Sequence, residues 1–417
     1  MAYAEQTTES ASAQAGRGRL LSLDAFRGFD IAAMLLVNMT WNREVFHPQF
    51  FHVEWNDKAQ GATFTDLVFP WFVFIAGCSI PLSMRSGRGR AQPAWLKVLI
   101  ALKRAAIIYL LGVLLTVAGS ATDRPLVWND LLSWNILQLI AGAYFCAVLI
   151  FLLPRWGQIA AVVGILLAKW ATMTVIPFEV VEQAGLVRAP AGHPTGAGTW
   201  AHHDGVKRLL HMEHESGVGF ALLGWLGMAQ QYLPLAACAV IGGWATQIMT
   251  GAESTVVRTL RVAGLALGLL VVAFALQWNY DPAGGGLLGR FTAPFSKWTI
   301  SPAYVLLSAG TGMLLLVAFW LVIDVWKLTT ALFLRVWGLN AIALYVGAEL
   351  FFKVIYSKWQ VTHPNGFSGS LAGGVIAWVE HWTGSAAVAG WCFALSWIGL
   401  GWLLCWWMHA KKLYIKV

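Results

Sequence analysis

His52 lies in a short polar stretch, HVEWND, with Trp55, Asn56 and Asp57 beside it and Asp66 a little further on. Histidine is the one side chain whose ordinary pKa lets it give and take protons near neutrality. An imidazole held by a second polar group is the arrangement that acyl transfer uses. Asp66, Asn56 and Asp57 can orient such a ring, and Trp55 can stack on a sugar or seal a pocket. Asn38, just before this stretch, can donate to a developing oxyanion, a contribution typically of a few kcal/mol. The competing reading of His52 is an ordinary exposed loop histidine.

Other residue groups carry chemistry of a different kind. Asp24, Arg27 and Asn38 fall within about 60° of one another at the helical period, so they share a face. Asp24 and Arg27 could equally be a simple anchoring pair. Arg85, Arg88, Arg90, Lys97, Lys103 and Arg104 form a basic cluster. Such a cluster either fixes membrane topology or meets a phosphorylated ligand, the usual partner of Arg and Lys. Asn340, Tyr345 and Glu349 stand in the apolar run GLNAIALYVGAELF. A glutamate so deep in a span is a functional candidate, with a bond to Tyr345 as the structural alternative. His202, His203 and Asp204, followed by His211, Glu213, His214 and Glu215, could ligate a metal, but no HExxH pattern is present. An exposed loop or a substrate lid is the preferred reading, and no metal is expected.

The elements that position these residues must be membrane helices. The 417-residue chain is 58% apolar and only 12% charged, with 24 tryptophans. Ordinary soluble domains carry about 25% charged residues, and several apolar runs here reach the roughly 20 residues a bilayer span needs. The expected fold is all-α: a polytopic bundle of about ten transmembrane helices. The runs fall near 24–42, 65–84, 97–119, 133–153, 158–177, 229–250, 259–277, 303–324, 335–355 and 387–408. Asp66 would open the second run, where the helix dipole favours a carboxylate. Residues 1–19 read as a disordered tail, and 20–417 as one transmembrane domain, with 178–228 as a large outer loop and half-span.

Seventeen lysines and arginines fall on one side of this arrangement and ten on the other. The excess places both termini in the cytoplasm. Nine of the ten histidines then lie outside, and only His409 lies within. The net charge of +8 therefore reflects topology, and no nucleic-acid partner is expected. The five cysteines all lie in apolar runs and form no CxxC pair, which reads as buried, inert thiols. No internal repeat of the kind common in secondary transporters is evident.

With these residues in view, the chain resembles the membrane acetyltransferase family typified by heparan-α-glucosaminide N-acetyltransferase. The carrying motifs are LLSLDAFRGFDI at 20–31, the Asn38 region, HVEWN at 52–56 and above all TDLVFPWFVFIAGCSI at 65–80. WNILQLIAGAYF at 134–145, SPAYVLLSAG at 301–310 and GLNAIALYVGAELF at 338–351 are weaker matches. The resemblance implies that cytosolic acetyl-CoA donates an acetyl group to an amino sugar across the membrane. It implies that His52 is the catalytic histidine and Asn38 the polar residue closing the first span. Two departures stand out. Gln138 is followed by Leu139 where the resemblance calls for arginine, and Tyr280-Asp281-Pro282 comes later than the corresponding outer motif.

The resulting expectation is a transmembrane acetyltransferase using acetyl-CoA as co-substrate, probed below. His52, Asn38 and Asp66 form its catalytic set. Trp55, Asn56, Asn340 and Glu349 would contact the acceptor, an extracytoplasmic amino sugar or glycan. Asp24, Arg27, Arg85 and Arg104 would hold the coenzyme, whose arm would run between spans one, two and nine. The expected setting is the lipid bilayer of a bacterial inner membrane, with a homodimer as an option. The alternative is a permease for an amino sugar such as N-acetylglucosamine. An O-acetyltransferase of envelope polysaccharide would share the donor and differ in acceptor.

Overall fold

The computed structural model describes residues 20–40, 42–53, 61–120, 131–132, 134–174, 229–278, 294–297, 299–328, 332–364, 366 and 368–415. Trp55, Asn56, Asp57, the histidine-rich segment at 202–215, the half-span at 217–228 and Tyr280 to Pro282 lie outside them. The described chain is almost wholly helical. The longer helices are α1 (Leu21–Met39), α2 (Phe64–Arg85), α3 (Ala94–Ser120), α4 (Ile136–Phe151), α5 (Arg155–Thr174) and α6 (Ala229–Met249). They continue with α7 (Thr255–Trp278), α8 (Pro302–Trp320), α9 (Leu332–Leu339), α10 (Ala341–Phe351), α11 (Leu371–Thr383) and α12 (Ala386–Ala410). A two-stranded antiparallel ribbon, Gln360–Thr362 with Ser368–Ser370, precedes α11.

Helices occupy the described part of every expected apolar run. Among the described residues, six are long and apolar enough to cross a membrane alone, and a seventh span results if α9 and α10 count together. This is an integral, multi-pass helical membrane protein. The ninth run is not one straight helix: α9 and the helix that follows are bent by 78°. The break falls at Asn340, whose backbone leaves helical geometry.

α2, α6 and α8 form the buried centre, whereas α3 and α7 bury little of their surface. The apolar residues exposed on α7, such as Leu260, Leu267, Val271 and Phe274, suit a lipid-facing helix. Exposed tryptophans mark helix ends, among them Trp95, Trp156, Trp278 and Trp326, as expected where indole rings meet the membrane–water boundary. Cys392, read above as buried, is instead exposed on α12. An apolar run facing lipid needs no protein cover, so apolarity alone does not imply burial by protein.

Close helix contacts depend on glycine, because membrane helices pack by backbone approach and not by hydrophobic exclusion. A Cβ at Gly28 of α1 would lie 1.8 Å from Leu334 O, and one at Gly338 of α9 would lie 2.0 Å from Asp24 O. α1 and α9 therefore touch backbone to backbone at the level of Arg27. Gly77 of α2 meets Ala239 of α6 in the same way.

Candidate active site

The first turn of α2 holds the histidine loop in place. Thr63 caps the helix by accepting from Asp66 N, and Asp66 Oδ2 accepts from Thr63 N at 3.2 Å, completing a capping box. The remaining groups of this turn reach back to the loop. Phe64 N donates to Gln49 Oε1 (2.8 Å), Thr65 Oγ1 donates to Gln49 O (3.0 Å), and Thr63 Oγ1 donates to Phe51 O (2.7 Å). Thr40 Oγ1, at the end of α1, donates to Phe50 O at 3.2 Å. One otherwise unpaired backbone donor of the helix N-terminus, Phe64 N, and the three threonine hydroxyls are thus spent on residues 49–51, which fixes His52.

Asp66 is 2% exposed. Its Oδ1 lies 2.8 Å from His52 Nδ1, and its Oδ2 also accepts from Val53 N at 3.2 Å. An ionised carboxylate only accepts, so the neutral ring carries its proton on Nδ1. The lone pair is left on Nε2. The His52 side chain is 44% exposed, open to an incoming group.

A third group meets the ring from a distant part of the chain. Lys297 Nζ lies 3.0 Å from Nδ1 and 3.1 Å from Nε2 of His52. With Nδ1–H committed to Asp66, Nε2 is the acceptor open to the ammonium. Lys297 sits in a turn just before α8. Ile300 N donates to Lys297 O at 3.3 Å, and Ile300 itself has φ 49°, an outlier for a β-branched residue. Ser301 caps α8 by accepting from Tyr304 N at 3.2 Å. The buried Tyr304 hydroxyl donates to Asp66 O. That carbonyl is available because Pro70, four residues on, has no N–H to bond it. Trp71 Nε1 adds a 2.9 Å bond to Thr311 Oγ1. The proline of DLVFPW and the tyrosine of SPAY together bring Lys297 to His52. Sequence reasoning treated Lys297 only as a topological charge.

Further along α2 lies a cavity of about 490 Å³. Arg27, Arg104, Arg335, His409 and Tyr414 line its polar part, with Phe72, Ala76 and Ser79 of α2 along one wall. Arg27 is held from both sides: Nη1 lies 3.4 Å from Asp24 Oδ1 and Nη2 donates to Ser79 Oγ at 3.0 Å. Asp24 thus braces the guanidinium and does not line the cavity, nor does Arg85. Arg335, His409 and Tyr414 were not singled out for a ligand from the sequence. Arg335 appeared there only as a topological charge, although His409 was distinctive as the one histidine on that side. Gln138 caps α4 by accepting from Asn135 N at 3.2 Å. The cavity's guanidinium groups come from α1, α3 and α9 and not from the position after it.

The outermost α2 residue lining the cavity, Phe72, is about 9 Å along the helix from Asp66 at 1.5 Å per residue. Asp66 also lies about 120° further round the helix at the 3.6-residue period. The remaining candidates bond partners other than His52. Asn38 Nδ2 donates to Glu349 Oε1 at 2.8 Å, and Glu349 Oε2 lies 3.8 Å from Lys353 Nζ. Asn38 thereby joins the ends of α1 and α10. Asn340 is buried at the break between α9 and α10. There its amide donates to Leu413 O (3.1 Å) and accepts from Ile415 N (2.9 Å).

A many-span helical membrane protein with an imidazole–carboxylate–ammonium cluster near one end and a guanidinium-lined cavity near the other is the class these observations define. Comparison with known proteins makes it specific. The catalytic-domain model of heparan-alpha-glucosaminide N-acetyltransferase matches residues 19–191, which include His52 and Asp66. The human heparan-alpha-glucosaminide N-acetyltransferase is 24% identical over 406 residues, covering 86% of this chain and 57% of the human protein. The mouse protein of the same name is 25% identical over 397 residues, covering 86% and 58%. The chain is similar to the heparan-alpha-glucosaminide N-acetyltransferase family, as its motifs implied. It spans a little over half the length of these curated relatives.

Proposed function

We propose that the protein is a transmembrane acetyltransferase. It moves an acetyl group from acetyl-CoA, bound at the arginine-lined cavity, to an amino sugar or glycan at the His52 end. The observation that carries this reading is the His52–Asp66 bond, which leaves Nε2 as the reactive lone pair in a chain similar to N-acetyltransferases. Residues 20–417 work as one unit in this scheme. The cavity end faces the cytoplasm, in keeping with the cation excess, and the setting is a bacterial inner membrane.

A seam supports communication between the two ends. Arg27 and Asn38 share a face of α1, and Ile342 and Glu349 share a face of α10. Arg27 and Ile342 line the cavity, while Asn38 and Glu349 bond each other beyond it. The thioester travels along this seam and crosses the first turn of α2 to reach His52. His52 Nε2 then takes a proton from the acceptor amine as its nitrogen attacks the thioester carbonyl, or itself receives the acetyl group first. In the one-step route the C–S bond breaks and the proton taken by Nε2 passes to the leaving sulfur. In the two-step route the sulfur leaves as a thiolate that takes a proton from the Lys297 ammonium, and the amine later gives its own proton to Lys297 as it displaces the acetyl group from Nε2. Lys297 must move off Nε2 as the acceptor arrives, which a flexible four-carbon stem permits. Its ammonium then lies where the carbonyl oxygen gains charge. Asn38 and Glu349 border the acceptor, as do Trp55 and Asn56 in this scheme.

The test uses reconstituted vesicles with acetyl-CoA on one side and glucosamine on the other. Wild type should release free CoA, and His52→Ala should release none while still folding and binding coenzyme. Full turnover by His52→Ala would remove His52 from the chemistry. Accumulation of labelled sugar with no consumption of acetyl-CoA would favour the permease. An acetylated His52 peptide, recovered after mixing with acetyl-CoA alone, would mark the two-step route.

A further inference from the structure

The chain does not simply run out after α12. Leu413 N donates to Met408 O (2.8 Å) and Lys412 N donates to His409 O (2.9 Å). These are the paired bonds of a Schellman motif, with Lys412 in the left-handed position at φ 56°. A non-glycine residue there costs about 1–2 kcal/mol, so other contacts must hold the reversal. Asn340 supplies them. Its amide brackets Leu413 O and Ile415 N much as a neighbouring β-strand would, and the residue is 1% exposed. The segment so held returns to the cavity, where Tyr414 and Ile415 form part of the wall. Tyr414 Oη lies 3.1 Å from His409 Nδ1, and His409 lines the same space.

We propose that residues 411–415 form a tethered strap closing the arginine-lined cavity around the phosphate-bearing nucleotide end of the donor, with Asn340 as the positioning residue that holds the strap. The inference rests on the reading of this cavity as the donor site. Three guanidinium groups face a space bounded by an aromatic ring, a combination suited to phosphates joined to a flat base. The Nε of Arg335 is buried and has no hydrogen-bond partner among the described residues, an unmet donor beside the space an anion would fill. The Tyr414 ring also leans on His409, with centroids 6.0 Å apart at 59°, and remains 40% exposed.

The experiment compares wild type, Asn340→Ala and a chain lacking residues 413–417, each as full protein in lipid nanodiscs. Coenzyme A binding is measured by titration, and turnover is measured with acetyl-CoA and with S-acetylpantetheine, which lacks the nucleotide. Loss of the strap should raise KM for acetyl-CoA about tenfold or more, a change of at least about 1.4 kcal/mol, with kcat within about threefold. With S-acetylpantetheine, variant and wild type should be alike, a result that general loosening of the fold would not produce. If Asn340→Ala fails to fold, the shortened chain gives the same comparison. Equal coenzyme binding and equal KM in wild type and shortened chain overturn the strap alone. Absence of coenzyme binding by wild type overturns the donor site and the strap together.

Discussion

The two ends of α2 are built in opposite ways. At the His52 end, one helix turn organises the site. Thr63, Phe64, Thr65 and Asp66 bond residues 49–53, while Lys297 and Tyr304 come from far along the chain. At the cavity end no turn dominates. Arg27, Arg104, Arg335 and His409 arrive from four different helices, and the strap after α12 completes the wall. The first arrangement pins one ring to a carboxylate within hydrogen-bonding distance, as proton transfer requires. The second spreads positive charge around a space large enough for a bulky anion. In the proposed reaction bond making falls to one region and donor recognition to the other, which kinetics can separate.

The largest effect that would sharpen the contrast is expected from Asp66→Ala. Losing the partner of His52 Nδ1 should lower kcat about a hundredfold or more. Losing the cap should also cost about 1 kcal/mol of stability. Asp66→Asn keeps an oxygen for the cap but removes the charge that fixes the tautomer. It should stay poorly active while unfolding closer to wild type, measured by turnover beside thermal unfolding. If Asp66→Asn turns over like wild type, the carboxylate is only a cap.

Arg104→Gln should act on the other side of the contrast. A charge-assisted hydrogen bond contributes about 1.5–3 kcal/mol, so KM for acetyl-CoA should rise about ten- to a hundredfold with kcat nearly unchanged. A fall in kcat at constant KM would break the division of labour between the two ends. The smallest effect is expected from Thr63→Ala. It should cost about 1 kcal/mol of stability as a lost cap and only a few-fold in kcat, because Asp66 and His52 themselves remain. An unchanged unfolding midpoint would show that the loop contacts, not the cap, hold this turn.

Much of the His52 end was legible in the sequence, because its parts are close along the chain. Asp66 opening an apolar helix, with a histidine shortly upstream, suggests their pairing. Lys297 could be noticed only as a charge. Its place beside His52 depends on Pro70 freeing a carbonyl for Tyr304, a coupling between distant helices that spacing cannot reveal. Arg27 and Arg104 stood out by their charge, and the structure brings both to the cavity wall. The structure distributes the other candidates differently: Asp24 braces Arg27, Asn38 bonds Glu349, and Asn340 bonds Leu413 and Ile415. Helical periodicity places a polar group on a face but does not name the neighbour it will find there.

Composition and apolar runs alone determined that this chain lives in a bilayer as a helical bundle, since within lipid a helix satisfies its own backbone. They also determined where most helices lie, and that a titratable ring adjoins the mouth of the second span. Only the tertiary structure decided which charges converge. That choice depends on glycine contacts such as Gly28 with Leu334, on the 78° break at Asn340 and on the chain reversal at Lys412. Each is a backbone approach or turn whose cost is met by partners hundreds of residues away or on another helix, and no local pattern records that exchange.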